Sequence, residues 1–117
     1  MARILVVDDE PIIAMTIADW LGDLGHIALG PAANLASALS WLDEDVDAAI
    51  LDVTLGAQTT ILVAARLAER GAPFVVATGH APEMMDGAFA QGLLLPKPFG
   101  FETFRCVVAR LLCLAPH

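Results

Sequence analysis

Five polar residues stand directly behind, or one step beyond, short apolar runs: Asp8 and Asp9 after ILVV, Asp52 after AAIL, Thr78 after FVVA and Lys97 beyond LLL. If those runs are neighbouring strands, one cleft gathers three carboxylates, a hydroxyl and an ammonium. Such a group carries two negative charges in excess, which a divalent cation would balance. All-oxygen ligation favours a hard ion, and Mg2+ takes a few carboxylates while keeping positions for water and phosphate oxygens. Clustered carboxylates raise one another's pKa, so an ion also keeps Asp52 ionised and nucleophilic. A carboxylate can accept a phosphoryl group as an acyl phosphate. Thr78 and Lys97 would meet the phosphoryl oxygens with a hydroxyl and a positive charge. Lys97 is the only lysine in the chain, and Pro96 and Pro98 stiffen the loop that carries it.

The elements that must hold these residues follow from apolar spacing. Ile4 to Val7, Ile27 to Leu29, Ala48 to Leu51, Phe74 to Ala77 and Leu93 to Leu95 are too short for helices and lack polar alternation, so they predict strands buried on both faces. Between them Ile13, Ile17, Leu21 and Leu24 have helical spacing, with Pro11 in the first turn and Gly25 as the stop. A second helix fits Leu35, Ala38, Leu39 and Leu42, with Asn34 or an earlier residue as cap. A third runs from about Thr59 to Arg70 and stops at Gly71. Glu83 to Gln91 is a poorer helix with Gly87 inside it, expected to be the loosest element and to carry much of any rearrangement. The last, about Phe101 to Leu114, places Phe104, Val108, Leu111 and Leu112 on one apolar stripe, with Pro116 beyond it. Five strands alternating with five helices predict a doubly wound α/β fold with a parallel sheet. In such sheets ligands gather outside the carboxyl ends of the strands, where all five polar residues fall.

Length and charge narrow the functions further. At 117 residues, one domain over residues 1–117 is expected. The formal net charge of −8 opposes binding by phosphate neutralisation, so nucleic acid is not an expected partner. Hydrophobic residues make up 57% of the chain, yet no apolar run reaches the roughly 18 to 20 residues that span a bilayer. No membrane association is expected. MARILVVDDE is too short and acidic for a secretory signal, which predicts a cytoplasmic location. Cys106 and Cys113, two turns apart on the last helix, are expected to be buried thiols.

VVDDE, LDVTL, VVATG and PKPF, in this order and at these separations, resemble the bacterial response-regulator receiver domain over nearly the whole chain. The resemblance implies a flavodoxin-like (βα)5 fold with strand order 2-1-3-4-5. It implies that Asp52 is the phosphoacceptor, that Asp9 and Asp52 bind Mg2+ directly, and that Asp8 acts mainly through a bound water. The backbone carbonyl of Thr54 would be a further ligand. Thr78 matches the switch hydroxyl and Lys97 the phosphoryl-binding lysine. PFVVATGH, the LG after Asp52 and LPKPF are similar to the FATGUY subgroup, whose members often stand alone. Val76 replaces that motif's leading Phe, Gly56 stands where many receivers carry proline, and Leu94 replaces the usual switch aromatic. The implied partner is a sensor histidine kinase or a histidine phosphotransfer protein. A chain ending after the last helix would act on another protein, as a monomer or a phosphorylation-dependent dimer.

Blander readings stand beside these. Glu10 is read as a helix cap, His80 as a solvated loop residue, Met84 and Met85 as gap-fillers, and Trp20 and Trp41 as packing residues. The alternative function is a receiver-like binding module that works without phosphorylation. An aspartyl phosphatase would want a second acid two residues after Asp52, where this chain has Thr54, so no conventional enzyme is expected beyond control of its own phosphorylation.

Overall fold

The computed structural model describes residues 2–79 and 87–114. The chain runs β1 (Arg3–Val7), α1 (Pro11–Asp23), β2 (Ile27–Ala32), α2 (Leu35–Trp41), β3 (Ala48–Asp52), β4 (Thr54–Leu55), β5 (Gln58–Thr59), α3 (Ile61–Glu69), β6 (Phe74–Thr78), a 3-10 turn (Gly87–Gln91), β7 (Leu93–Pro96) and α4 (Phe101–Leu114). Five strands form one sheet in the order β2-β1-β3-β6-β7, every neighbouring pair parallel. Counting that sheet's strands alone, this is the expected order 2-1-3-4-5.

Strand residues alternate between two cores, because successive side chains on a strand leave opposite faces. Ile4, Val6, Ala48, Ile50, Val75 and Leu95 pack with Ile17 and Leu21 of α1 and Phe104, Val108 and Leu111 of α4. Leu5, Val7, Ala49, Leu51, Phe74 and Val76 pack with Ala38 of α2 and Val63, Ala64 and Leu67 of α3. Both faces being apolar explains why the strands read as continuous runs.

Local signals set the ends. Asn34 caps α2 by accepting the Ser37 N–H at 2.8 Å, and the chain leaves α3 through Gly71 at φ +71°. Three expectations change. The third helix begins at Ile61 rather than about Thr59, because Gln58–Thr59 pairs antiparallel with Thr54–Leu55. Gly87 to Gln91 form a 3-10 turn that buries Phe89; the rest of the expected fourth helix, with His80, Met84, Met85 and Pro116, lies outside the described residues. Cys106 and Cys113 are exposed, not buried. They do share a stripe, but at about 100° per residue it runs nearly opposite the one carrying Phe104, Val108 and Leu111. Among the described residues no helix is long and apolar enough to cross a membrane.

Candidate functional site

Every strand of the five-stranded sheet that contributes a site residue does so at or just past its carboxyl end. Asp8, the first residue past β1, is buried, and its N–H donates to the Ala32 carbonyl at 3.1 Å. Asp52 closes β3 and the buried Thr78 closes β6. Lys97 follows β7, and its N–H donates to the Thr78 carbonyl at 2.8 Å, which fixes the start of the lysine's path.

The Lys97 ammonium lies among three carboxylates, 3.3 Å from Asp52 Oδ2, 3.6 Å from Asp8 Oδ2 and 3.9 Å from Glu10 Oε1. Burial acts to lower the Lys97 pKa, but Asp52, Asp8 and Glu10 outweigh it and hold the group above its ordinary value. Asp8 moves upward as well. Burial is the main cause, reinforced by the charges of Asp52 and Glu10 and opposed by the Glu10 N–H, at 2.9 Å from Oδ1, and by Lys97.

Asp9, Glu10, Asp52, Val53, Thr54, Gly56, Thr78, Gly79 and Lys97 line an open cleft of about 390 Å³. Carboxylate oxygens of Asp8, Glu10 and Asp52 come within 4.8 Å of one another. This all-oxygen donor set fits a hard divalent cation such as Mg2+. Asp9 is in the same cleft but turned to the loop after Asp52, its Oδ2 accepting the Gly56 N–H at 2.8 Å. Thr54 is exposed on β4 at the cleft's edge. Thus Asp8, Asp52 and Lys97 are brought into mutual contact, and Asp9, Thr54 and Thr78 into the same lining.

Two residues emerge that sequence reasoning did not single out for the site. Glu10 occupies the N-cap position of α1 yet makes no capping bond with its side chain, which joins the acidic group instead. Its place two residues after Asp8 was the available signal. Thr60 is buried behind Asp52 and donates from Oγ1 to the Asp52 carbonyl at 2.5 Å. Nothing in residue type alone marks it.

Comparison with known proteins gives the same picture. The response regulator receiver domain model matches residues 4–108. SdrG from Sphingomonas melonis Fr1 is 40% identical, superposes with a TM-score of 0.82, and is covered over 97% of its chain by 96% of this one. TrrA from Thermotoga maritima, a response regulator solved in complex with Mg(2+)-BeF, is 28% identical with a TM-score of 0.83, covering 96% of this chain and 100% of its own. The positive alginate biosynthesis regulatory protein of Pseudomonas aeruginosa is 38% identical over 83 residues, 67% of this chain; the match spans only 34% of that protein. With acids at the ends of β1 and β3 and a lysine after β7 meeting in one cleft, this chain belongs to the response regulator receiver domain family of two-component signalling.

Proposed function

We propose that the protein is a phosphorylation-activated switch: Asp52 takes a phosphoryl group from a phosphohistidine of a sensor histidine kinase or phosphotransfer protein, and a protein-binding surface changes as a result. One Asp52 carboxylate oxygen forms the new P–O bond as the P–N bond breaks, and the imidazole leaves with a proton. The observation that carries this reading is the Asp52 carboxylate, open to the cleft and 3.3 Å from the sole lysine.

Asp9 and Asp52 would hold Mg2+ directly, Asp8 through a water, and the Thr54 carbonyl would complete the protein's share. Asp9 keeps Oδ1 for that role while Gly56 holds Oδ2. When bound, the ion neutralises charge on the phosphoryl oxygens and aligns them for in-line transfer. Lys97, already among carboxylates, follows the negative charge onto the phosphoryl group, and the Thr78 hydroxyl turns to it. A ligand shifts a two-state equilibrium only through contacts present in one state, and these two residues supply them. The Mg(2+)-BeF complex of TrrA supports this metal and this chemistry. The protein would act in the cytoplasm, as a monomer or a dimer formed on phosphorylation, and would catalyse loss of its own phosphoryl group.

Mass spectrometry after incubation with Mg2+ and acetyl phosphate tests the reading. One added phosphoryl group, absent without Mg2+ and absent in Asp52→Asn, is expected. An unmodified wild-type chain would overturn it in favour of a module that binds without phosphorylation.

A further inference from the structure

We propose that Thr60 is a positioning residue for the metal site: its hydroxyl fixes the peptide run from Asp52 to Thr54 and so the direction the Thr54 carbonyl faces. This rests on the Mg2+ reading above and assigns one more side chain to it.

Thr60 is one of three buried polar or charged residues among those described, with Asp8 and Thr78. Its Oγ1 lies 2.5 Å from the Asp52 carbonyl and 3.2 Å from that of Val53, and its own N–H donates to the Val53 carbonyl at 2.9 Å. A hydroxyl has one proton to give. The Val53 carbonyl is already served by the backbone, so that proton goes to the shorter contact, Asp52. Thr60 stands at the N-cap of α3, where a threonine oxygen ordinarily accepts a helix N–H. Here its side chain makes no capping bond. A local preference is given up in exchange for a tie to the phosphoacceptor's own peptide, the kind of exception expected at a functional site.

Between Val53 and Thr60 the chain makes the β4–β5 hairpin, whose turn needs Gly56 at φ +60°. The hairpin is tied at its base by Thr60 and at its tip by Asp9, through the Gly56 N–H. Thr54 lies between the two ties. One small element therefore couples the phosphoacceptor, the Asp9 carboxylate and the carbonyl offered to the ion.

The test uses Mg2+ alone, titrated into the full chain by calorimetry, with thermal melting in Mg2+-free buffer as the check on folding. Thr60→Val removes the hydroxyl at nearly constant shape and should weaken Mg2+ binding on the order of tenfold, as loss of a group that orients a metal ligand does. Thr60→Ser should restore it to near wild type. Equal affinity in wild type and Thr60→Val, or equal loss in Ser and Val, overturns the proposal. A wild-type chain that binds no Mg2+ sinks the reading of the whole cleft, a different outcome from the other two. Should Thr60→Val fail to fold, amide resonances of the wild-type chain decide: Thr60 must shift together with Thr54 as Mg2+ is added, and an unmoved Thr60 overturns the assignment.

Discussion

Lys97 and Asp52 form an ion pair at 3.3 Å across the mouth of the cleft, between side chains that are only 18% and 12% exposed. With a second pair to Asp8 at 3.6 Å, the ammonium acts in this structure as the counter-charge of the acidic group. Replacing it by a neutral side chain leaves partly buried carboxylates uncompensated. Lys97→Met is therefore expected to lose about 1–3 kcal/mol of stability in Mg2+-free buffer. Saturating Mg2+ should recover most of that loss and stabilise the variant more than the wild type. Denaturant midpoints with and without Mg2+ measure both effects, and a loss that Mg2+ leaves unchanged would contradict the argument.

The raised pKa of Asp8 makes its charge a cost to the fold at neutral pH. A carboxyl whose folded pKa lies above its unfolded value of 3.8 contributes stability that is fully present below that value and is lost as pH rises through the folded pKa. Asp8→Asn keeps an acceptor for the Glu10 N–H, 2.9 Å away, and removes the charge. The variant should be more stable than the wild type at pH 7, with the difference shrinking as pH falls and vanishing below about 3.8. It should also respond less to Mg2+. Urea unfolding across pH checks the sign; an asparagine variant less stable at pH 7 would reverse it.

How far such features were visible beforehand depended on whether they were set by neighbours in sequence or by distant residues. The central strands β1, β3 and β6 were readable because burial on both faces leaves no polar alternation, the edge strands β2 and β7 from short apolar runs that are only partly buried, and Asn34 marks α2 because capping is local. Placing Asp8, Asp52 and Lys97 together required only that strand ends converge. The β4–β5 hairpin was not readable, since strands of two residues carry no period. Thr60 looked like the start of a helix because its tie reaches back eight residues to a backbone atom. Glu10 was an acid in the right place whose direction depends on Lys97, from the far end of the chain. For the cysteines, a spacing of seven fixes a shared stripe but not its phase, and that phase against Phe104, Val108 and Leu111 puts them on the exposed side of α4.

That phase has a direct chemical consequence. Cys106 and Cys113 lie on the solvent face of α4, so both thiols of the native protein should react with a water-soluble disulfide reagent without prior unfolding. Counting released thiolate in native buffer gives two per chain if the face is open. Reaction only after denaturant is added would return the cysteines to the core.

The packing beneath Lys97 links the core to the site. Phe104 is fully buried on α4 and meets the Trp20 ring at 5.3 Å and the Phe99 ring at 6.0 Å. Phe99 is two residues from Lys97, and Trp20 contacts Phe99 in turn at 6.2 Å, so one aromatic group joins α1, α4 and the lysine-bearing loop. Phe104→Ala removes the central ring and should cost about 3–5 kcal/mol, since the fixed sheet and helices cannot close fully around the space. The loop should loosen along with the core, because Phe99 loses its stacked partner. Lys97 would then hold its carboxylates less firmly, and amide exchange at Lys97 and Phe99 should rise by more than the change in global stability alone accounts for. Phe104→Leu, which refills part of the volume, should fall between the two. If exchange at Lys97 and Phe99 instead tracks global unfolding in all three proteins, the aromatic group stabilises the fold without steadying the lysine.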